Sequence, residues 1–78
     1  MTIIHMIDVQ STNLKKIGYD EGNELLYVTF YGGSTYRYKC VPKDVYNALI
    51  ALHEQQESVG QAFMAQVNGQ FEYERVWG

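Results

Sequence analysis

Residues 24–41 read ELLYVTFYGGSTYRYKCV, two runs of alternating side chains on either side of a glycine pair. In the first run Leu26, Val28 and Phe30 alternate with Tyr27, Thr29 and Tyr31, the period of two that marks a half-buried strand. In the second, Tyr36, Tyr38 and Cys40 alternate with Arg37 and Lys39. The intervening Gly32-Gly33-Ser34 predicts a hairpin turn, because glycine reaches the positive φ that tight turns require. Parity then selects the loop length. A two-residue loop would set Val28 against Arg37 and mix apolar and charged side chains on both faces. A three-residue loop of Gly32, Gly33 and Ser34 sets Phe30 against Tyr36 and Val28 against Tyr38, which leaves one apolar face and one face of Tyr27, Thr29, Tyr31, Arg37 and Lys39.

Upstream of this hairpin, NLKKIGYD (residues 13–20) places Ile17 and Tyr19 two apart and runs into Asp20-Glu21-Gly22-Asn23, a strand followed by a turn. Downstream, Pro42 suits the first helical position, and Val45, Tyr46, Leu49, Ile50 and Leu52 recur at the spacing of a core-facing stripe on a helix of about fourteen residues. Ser58 with Gln61 matches a capping box, Val59, Ala62, Phe63 and Val67 share the next helical face, and Gly69 stops it. From Phe71 to Trp77 the alternation returns, placing Phe71, Tyr73, Arg75 and Trp77 on one side of an extended segment. The expected fold class is α+β: an antiparallel three-stranded β-meander followed by two α-helices and an extended C-terminal tail, with residues 1–78 as one domain. The stretch with Ile3, Ile4, Met6 and Ile7 is either a sheet-edge strand or a subunit contact, and whether it joins the sheet is left open.

Composition limits what such a domain does. The chain has 78 residues and a single cysteine, so no internal disulfide reinforces a core that at this size supplies only a few kcal/mol. Residues 14–43 carry Lys15, Lys16, Arg37, Lys39 and Lys43 against Asp20, Glu21 and Glu24, whereas residues 44–78 carry Asp44, Glu54, Glu57, Glu72 and Glu74 against Arg75 alone. That asymmetry lets one copy meet another, and a homo-oligomer is expected. The net charge of −3 argues against clamping long polyanions, which requires many counterions to be displaced. With no apolar run of membrane-spanning length and no basic, cleavage-type leader at the start, the chain is expected to be cytoplasmic and to have no membrane partner. Seven tyrosines, three phenylalanines and Trp77 are the unusual feature.

The pattern from Met6 to Val76 resembles the KTSC domain, a small family named for its occurrence at the C-terminus of some lysyl-tRNA synthetases. The residues that carry the resemblance are Ile17-Gly18-Tyr19, Val28 and Phe30, Tyr36-Arg37-Tyr38, Val41-Pro42 with Val45-Tyr46 and Leu49, then Ser58, Gly60, Phe63, Val67, Gly69, Phe71, Tyr73 and Arg75. The resemblance implies RNA binding as a function, and stand-alone members are frequent in bacteria and bacteriophages. The sequence departs from the family where many members carry Lys or Arg: it has Val59, Gln61, Gln66, Asn68 and Gln70, which weakens the case for phosphate-backbone binding. Ala62 stands at a position that is often aromatic.

Two constellations are candidate ligand-binding sites. Tyr36, Arg37 and Tyr38 form a possible stacking platform around a cation, set against the alternative that both tyrosines are core residues. Phe71, Tyr73, Arg75 and Trp77 put aromatics around a second cation, set against packing on the sheet edge. No catalytic residues, metal ligands or cofactor are expected: His5, His53 and Cys40 lie far apart in sequence, and Cys40 on a core-facing strand is read as packing. Gly32-Gly33 is read as a turn rather than a phosphate loop, and Asp20, Glu21 and Glu24 as a solvated turn tip. The leading functional expectation is a non-enzymatic nucleotide-binding module for a compact phosphate-bearing nucleotide. If phage-encoded, it would act in the host cytoplasm, sequestering cyclic nucleotide defence signals at subunit interfaces. A protein-binding inhibitor or adaptor with a host protein as partner comes second, and RNA binding third.

Overall fold

The computed structural model of the chain describes residues 4–9, 11 and 13–77, the last of these through its backbone only. Its elements in chain order are β1 (Ile7–Asp8), β2 (Leu14–Asp20), β3 (Leu25–Phe30), β4 (Thr35–Tyr38), α1 (Lys43–Glu54), α2 (Val59–Gln66) and β5 (Tyr73–Trp77). All strand pairs are antiparallel, and the sheet runs β1-β2-β3-β4-β5.

The α+β class and both helices match the sequence, but the sheet has five strands rather than three among the described residues. At the start, Ile7 pairs with Ile17 and Asp8 with Lys16, making β1 a short sheet-edge strand. At the end, the expected extended tail is a strand of the sheet, β5. The two helices carry the chain back to the exposed edge of β4, where Lys39 N–H donates to the Glu72 carbonyl at 2.8 Å and Tyr38 lies opposite Tyr73. An edge strand presents unpaired N–H and C=O groups, and a segment that already alternates at period two satisfies them. Ile3, Gln10, Thr12 and the Trp77 side chain lie outside the described residues.

The hairpin keeps the expected parity with a register two residues away. Val28 pairs with Tyr36 and Leu26 with Tyr38, in place of Phe30 with Tyr36 and Val28 with Tyr38. The loop is Tyr31-Gly32-Gly33: Gly33 N–H donates to the Phe30 carbonyl at 3.0 Å, Phe30 N–H to the Ser34 carbonyl at 2.9 Å, and the glycines take φ of +117° and +94°. Moving the loop back by one residue puts both glycines at the two positions where φ is positive, and the sequence pattern cannot distinguish registers of equal parity. Gly32-Gly33 is thus a turn.

Cys40 does not continue the strand into the core. Strand β4 ends at Tyr38, Cys40 turns the chain with φ +58° and is exposed, and Val41 becomes the fully buried residue, its N–H donating to the Glu24 carbonyl at 2.9 Å. Pro42 precedes α1 as its N-cap instead of opening it, which gives twelve helical residues. Ser58 is the N-cap of α2 but its side chain makes no capping hydrogen bond. The reciprocal capping box is therefore absent.

The core lies between the helices and one sheet face. Leu14, Ile17, Leu26, Val28, Val41, Leu49, Val59, Phe63 and Val67 are fully buried, with Tyr38, Phe30, Tyr36 and Tyr19 packed around them. Tyr19 joins β2 to the start of α1: its ring stacks on Tyr46 at 5.1 Å and its hydroxyl donates to the Val41 carbonyl at 2.5 Å. The acidic turn is structural: Asp20 accepts from Asn23 N–H (3.3 Å) and its amide (2.9 Å), and Glu21 pairs with Lys43 at 2.8 Å.

Candidate functional site

Where β4 meets β5, the inner face of the sheet runs past the end of the helices, and its aromatic side chains are left partly uncovered. Phe30 contacts Tyr36 edge-on at 5.6 Å and Phe63 at 5.9 Å; Tyr38 contacts Phe63 at 5.4 Å and Tyr73 at 5.3 Å; Tyr36 lies 5.6 Å from Tyr73. These centroid distances are within the range of attractive ring pairs. Along this cluster runs a groove of about 340 Å³ lined by Phe30, Ser34, Tyr36, Tyr38, Asn68 and Tyr73. Beyond Tyr73, which the two share, is a second cleft of about 600 Å³ lined by Lys39, Gly69, Gln70, Phe71, Glu72 and Tyr73.

The two predicted constellations are therefore partly merged and partly split. Tyr36 and Tyr38 both belong to the core and line the groove, Tyr38 at 3% exposure and Tyr36 less covered. Tyr73, 57% exposed, stands between the groove and the cleft, and Phe71 lines the cleft. Arg37 points the other way. On the opposite sheet face its guanidinium bonds Glu74 on the neighbouring strand, donates to the Tyr27 hydroxyl at 3.4 Å and lies 6.0 Å from the centre of that ring. Lys39 also reaches Glu74, at 3.8 Å, so one carboxylate answers two cations. Arg75 differs. It pairs across the strands with Tyr36, hence on the groove face, is exposed, and takes part in no ion pair among the described residues. A register shift between Thr35 and Tyr36 sets Trp77 opposite Thr35, breaking the simple alternation that grouped it with Tyr73 and Arg75.

Sequence reading missed Phe30, Ser34 and Asn68 as groove residues. Alternation places Phe30 in the core and Ser34 falls in the turn; Asn68 stands out in the sequence only as one of the positions where many family members carry Lys or Arg. The Tyr38 phenol is pushed above its ordinary pKa, first by burial and then by neighbouring Tyr73 and Tyr36, so it stays protonated in the groove wall at neutral pH. The groove therefore offers ring faces, hydroxyls and one amide, with a cation at its edge. Among the described residues, no group of three His, Cys, Asp or Glu is placed to hold a metal ion.

The model of the KTSC domain family matches residues 10–71. The chain belongs to the KTSC domain family. Its fold is similar to the crystal structure of a KTSC domain protein from Yersinia pestis, with a TM-score of 0.82 and 27% identity over 95% of this chain and 99% of that one. An uncharacterized protein of Stutzerimonas stutzeri is 37% identical over 57 residues, covering 73% of this chain and 75% of its own. A Tsukamurella paurometabola protein is 39% identical over 46 residues, 59% of this chain and 69% of its own. The family match ends at Phe71, so in this KTSC domain the groove residues Phe30, Ser34, Tyr36, Tyr38 and Asn68 fall within the matched segment while Tyr73 and Arg75 of β5 lie beyond it.

Proposed function

We propose that this protein is a non-enzymatic nucleotide-binding module that takes a compact, phosphate-bearing nucleotide into the groove beside Tyr73. The observation that carries the reading is the pairing of Tyr36 with Arg75: an aromatic floor of Phe30, Tyr36, Tyr38 and Tyr73 lies directly beside an exposed cation that no described carboxylate neutralises. Stacking on such rings is worth ~1–3 kcal/mol per base, and a guanidinium adds a charge-assisted, bidentate phosphate contact. The groove is at the small end of the usual ~300–1,000 Å³ for ligand sites, which suits one nucleotide unit. Arg37, already held by Glu74, serves the sheet instead.

One chain supplies a floor and one wall, and Tyr73 remains 57% exposed. A second copy closes the site, so binding and homo-oligomerisation go together. In a phage-encoded chain the same site would sequester a cyclic nucleotide defence signal in the host cytoplasm. The exposure of Tyr73, Tyr31 and Met64 favours a second reading, a protein partner gripping this aromatic surface. RNA stands behind both, given a net charge of −3.

A thermal-shift screen against mononucleotides, cyclic dinucleotides and short RNA tests the proposal, since a ligand that binds only the folded state raises its melting temperature. A compact nucleotide is expected to stabilise the wild type with a shallow salt dependence, and Arg75→Ala to remove most of the shift while Arg37→Ala and Lys43→Ala retain it. A null result across the nucleotides with capture of one protein through Tyr73 transfers the function to the second reading. A steep salt dependence with RNA alone transfers it to the third.

A further inference from the structure

Strand β5 is paired on one side only. Among the described residues its outer edge has no partner strand, and its five residues make it a longer open edge than the two-residue β1 at the far end of the sheet. Lys39 N–H donates to the Glu72 carbonyl and Arg37 lies opposite Glu74, so the backbone groups of Glu72 and Glu74 point at β4. Alternation then turns the N–H and C=O groups of Tyr73 and Arg75 outward, where the edge strand of another chain reaches them. These two residues also carry side chains that the fold leaves unanswered. Tyr73 is 57% exposed, and Arg75 takes part in no ion pair among the described residues. Both stand on the groove face, one on each side of Glu74.

That arrangement is complementary to itself. With a second β5 laid antiparallel and Glu74 at the two-fold axis, Tyr73 of each copy faces Arg75 of the other. Both of these pairs exchange backbone N–H···O bonds and set a cation against a ring. Glu74 meets Glu74 on the opposite face, where each carboxylate is already held between Arg37 and Lys39 of its own chain. Moving the axis to Arg75 sets guanidinium against guanidinium, and moving it to Tyr73 puts Arg75 opposite Phe71, ahead of the other copy's strand.

We infer that β5 is a homodimer interface, pairing antiparallel with β5 of a second copy about Glu74, and that each copy thereby sets its Arg75 against the Tyr73 that borders the other's groove. The sheet then runs unbroken through both chains, and the two grooves lie side by side on one face with the helices of the two copies flanking them. The use of that joint surface for a ligand rests on the nucleotide reading above; the interface itself does not.

Light scattering after size exclusion, at tens of micromolar and without nucleotide, is expected to give twice the 9.0 kDa mass of the chain. Proline is tolerated on an edge strand where its nitrogen faces away from the sheet, so Arg75→Pro is expected to fold, as circular dichroism checks, and to run as a monomer. Arg75→Ala keeps the backbone donor and is expected to weaken the dimer by only roughly 2- to 30-fold for each symmetric contact. Register is read separately by mild oxidation on a Cys40→Ser background. Opposed residues of a non-hydrogen-bonded pair have Cα atoms about 4.5 Å apart, within the reach of a disulfide, so Glu74→Cys is expected to cross-link two chains and Val76→Cys is not. A monomeric wild type, a dimer that Arg75→Pro leaves intact, or a dimer that Glu74→Cys does not cross-link overturns the interface. Thermal shifts with AMP and a cyclic dinucleotide on the same samples keep the two readings apart. A monomer that a nucleotide stabilises overturns the interface and leaves the nucleotide reading standing, whereas a dimer cross-linked through Glu74→Cys whose wild type no nucleotide stabilises supports the interface and counts against that reading.

Discussion

Replacing Gly60 by alanine sets two effects of opposite sign against each other. Alanine is the better helix former by ~1 kcal/mol, so propensity alone would make Gly60→Ala stabilising in α2. Packing opposes it. Gly60 is buried, and a Cβ built there would lie 2.6 Å from Asn13 Oδ1, closer still to Ser11 Oγ, and 3.3 Å from Ser11 Cβ. Those atoms are not free to swing away: the Ser11 hydroxyl donates to Asn13 Oδ1 at 2.7 Å and accepts from the backbone N–H groups of Asn13 (3.2 Å) and Leu14 (3.1 Å), fixing the turn that starts β2. Because Ser11 Cβ is itself close, rotating the hydroxyl does not relieve the clash, and the turn must move. Losing two or three of these bonds at ~1 kcal/mol each, with ~1–3 kcal/mol of overpacking, outweighs the propensity gain and leaves a net loss of ~2–5 kcal/mol. For a domain of this size, at about 4–8 °C per kcal/mol, that is a melting-temperature drop of roughly 8–40 °C. Urea and thermal denaturation of Gly60→Ala, Ser11→Ala and the double variant measure it, with the double variant expected to lose clearly less than the sum of the singles. An unchanged or raised midpoint in Gly60→Ala would refute the packing explanation.

Phe63→Ala, which removes a fully buried ring between Phe30 and Tyr38, is expected to cost ~3–5 kcal/mol by urea denaturation, and a loss under ~1.5 kcal/mol would contradict its central place. The Arg37–Glu74 pair, with both side chains more than a third exposed, should show a coupling below ~1 kcal/mol in a double-mutant cycle. Burial raises the phenol pKa of Tyr19, Tyr38 and Tyr46 above 10.0 in the folded chain, and for Tyr19 the carboxylates of Glu24, Glu21, Asp20 and Asp44 add to it. The folded state thus keeps protons that the unfolded chain releases, so the stabilisation is complete below pH 10 and falls as pH rises past it; urea midpoints between pH 8 and 11 should drop, and less steeply in Tyr38→Phe.

Period-two alternation made β3, β4 and the sharing of faces legible, because side-chain parity is a local property: Leu26, Val28, Tyr36 and Tyr38 share the core face as expected. Apolar spacing likewise gave both helices, with Leu49, Val59, Phe63 and Val67 fully buried. Contacts between distant segments escaped it. Nothing within residues 71–77 specifies the edge of β4 as their partner, and nothing near Cys40 marks the positive φ that turns the chain where β4 stops at Tyr38, three residues short of Val41. Arg37 could be placed on its face by parity, but the carboxylate that answers it comes from Glu74, thirty-seven residues away. The same limit explains the site: the alternation of the tail singles out Tyr73 and Arg75, whereas Phe30 and Asn68 become groove residues only after the helices return the chain to the sheet edge.

The aromatic residues of this edge divide by exposure into two roles. Tyr38, at 3% exposure and packed on Phe63, cannot be removed without opening the core, so its loss would lower stability whatever the groove binds. Tyr73 has Tyr36 and Tyr38 against it yet remains 57% exposed, more than the fold alone requires of an aromatic on the core-side face of a sheet. An exposed ring retains apolar surface that contact with a ligand or a second chain would cover, and the neighbouring Arg75 has charge to match an anionic group. On the proposed reading, stability and recognition would meet at adjacent strands: β4 supplies rings the core holds rigid, and β5 supplies the ring and cation left open. A site built this way has a preorganised floor at little added ordering cost, which is the condition for a small domain to bind a small ligand tightly.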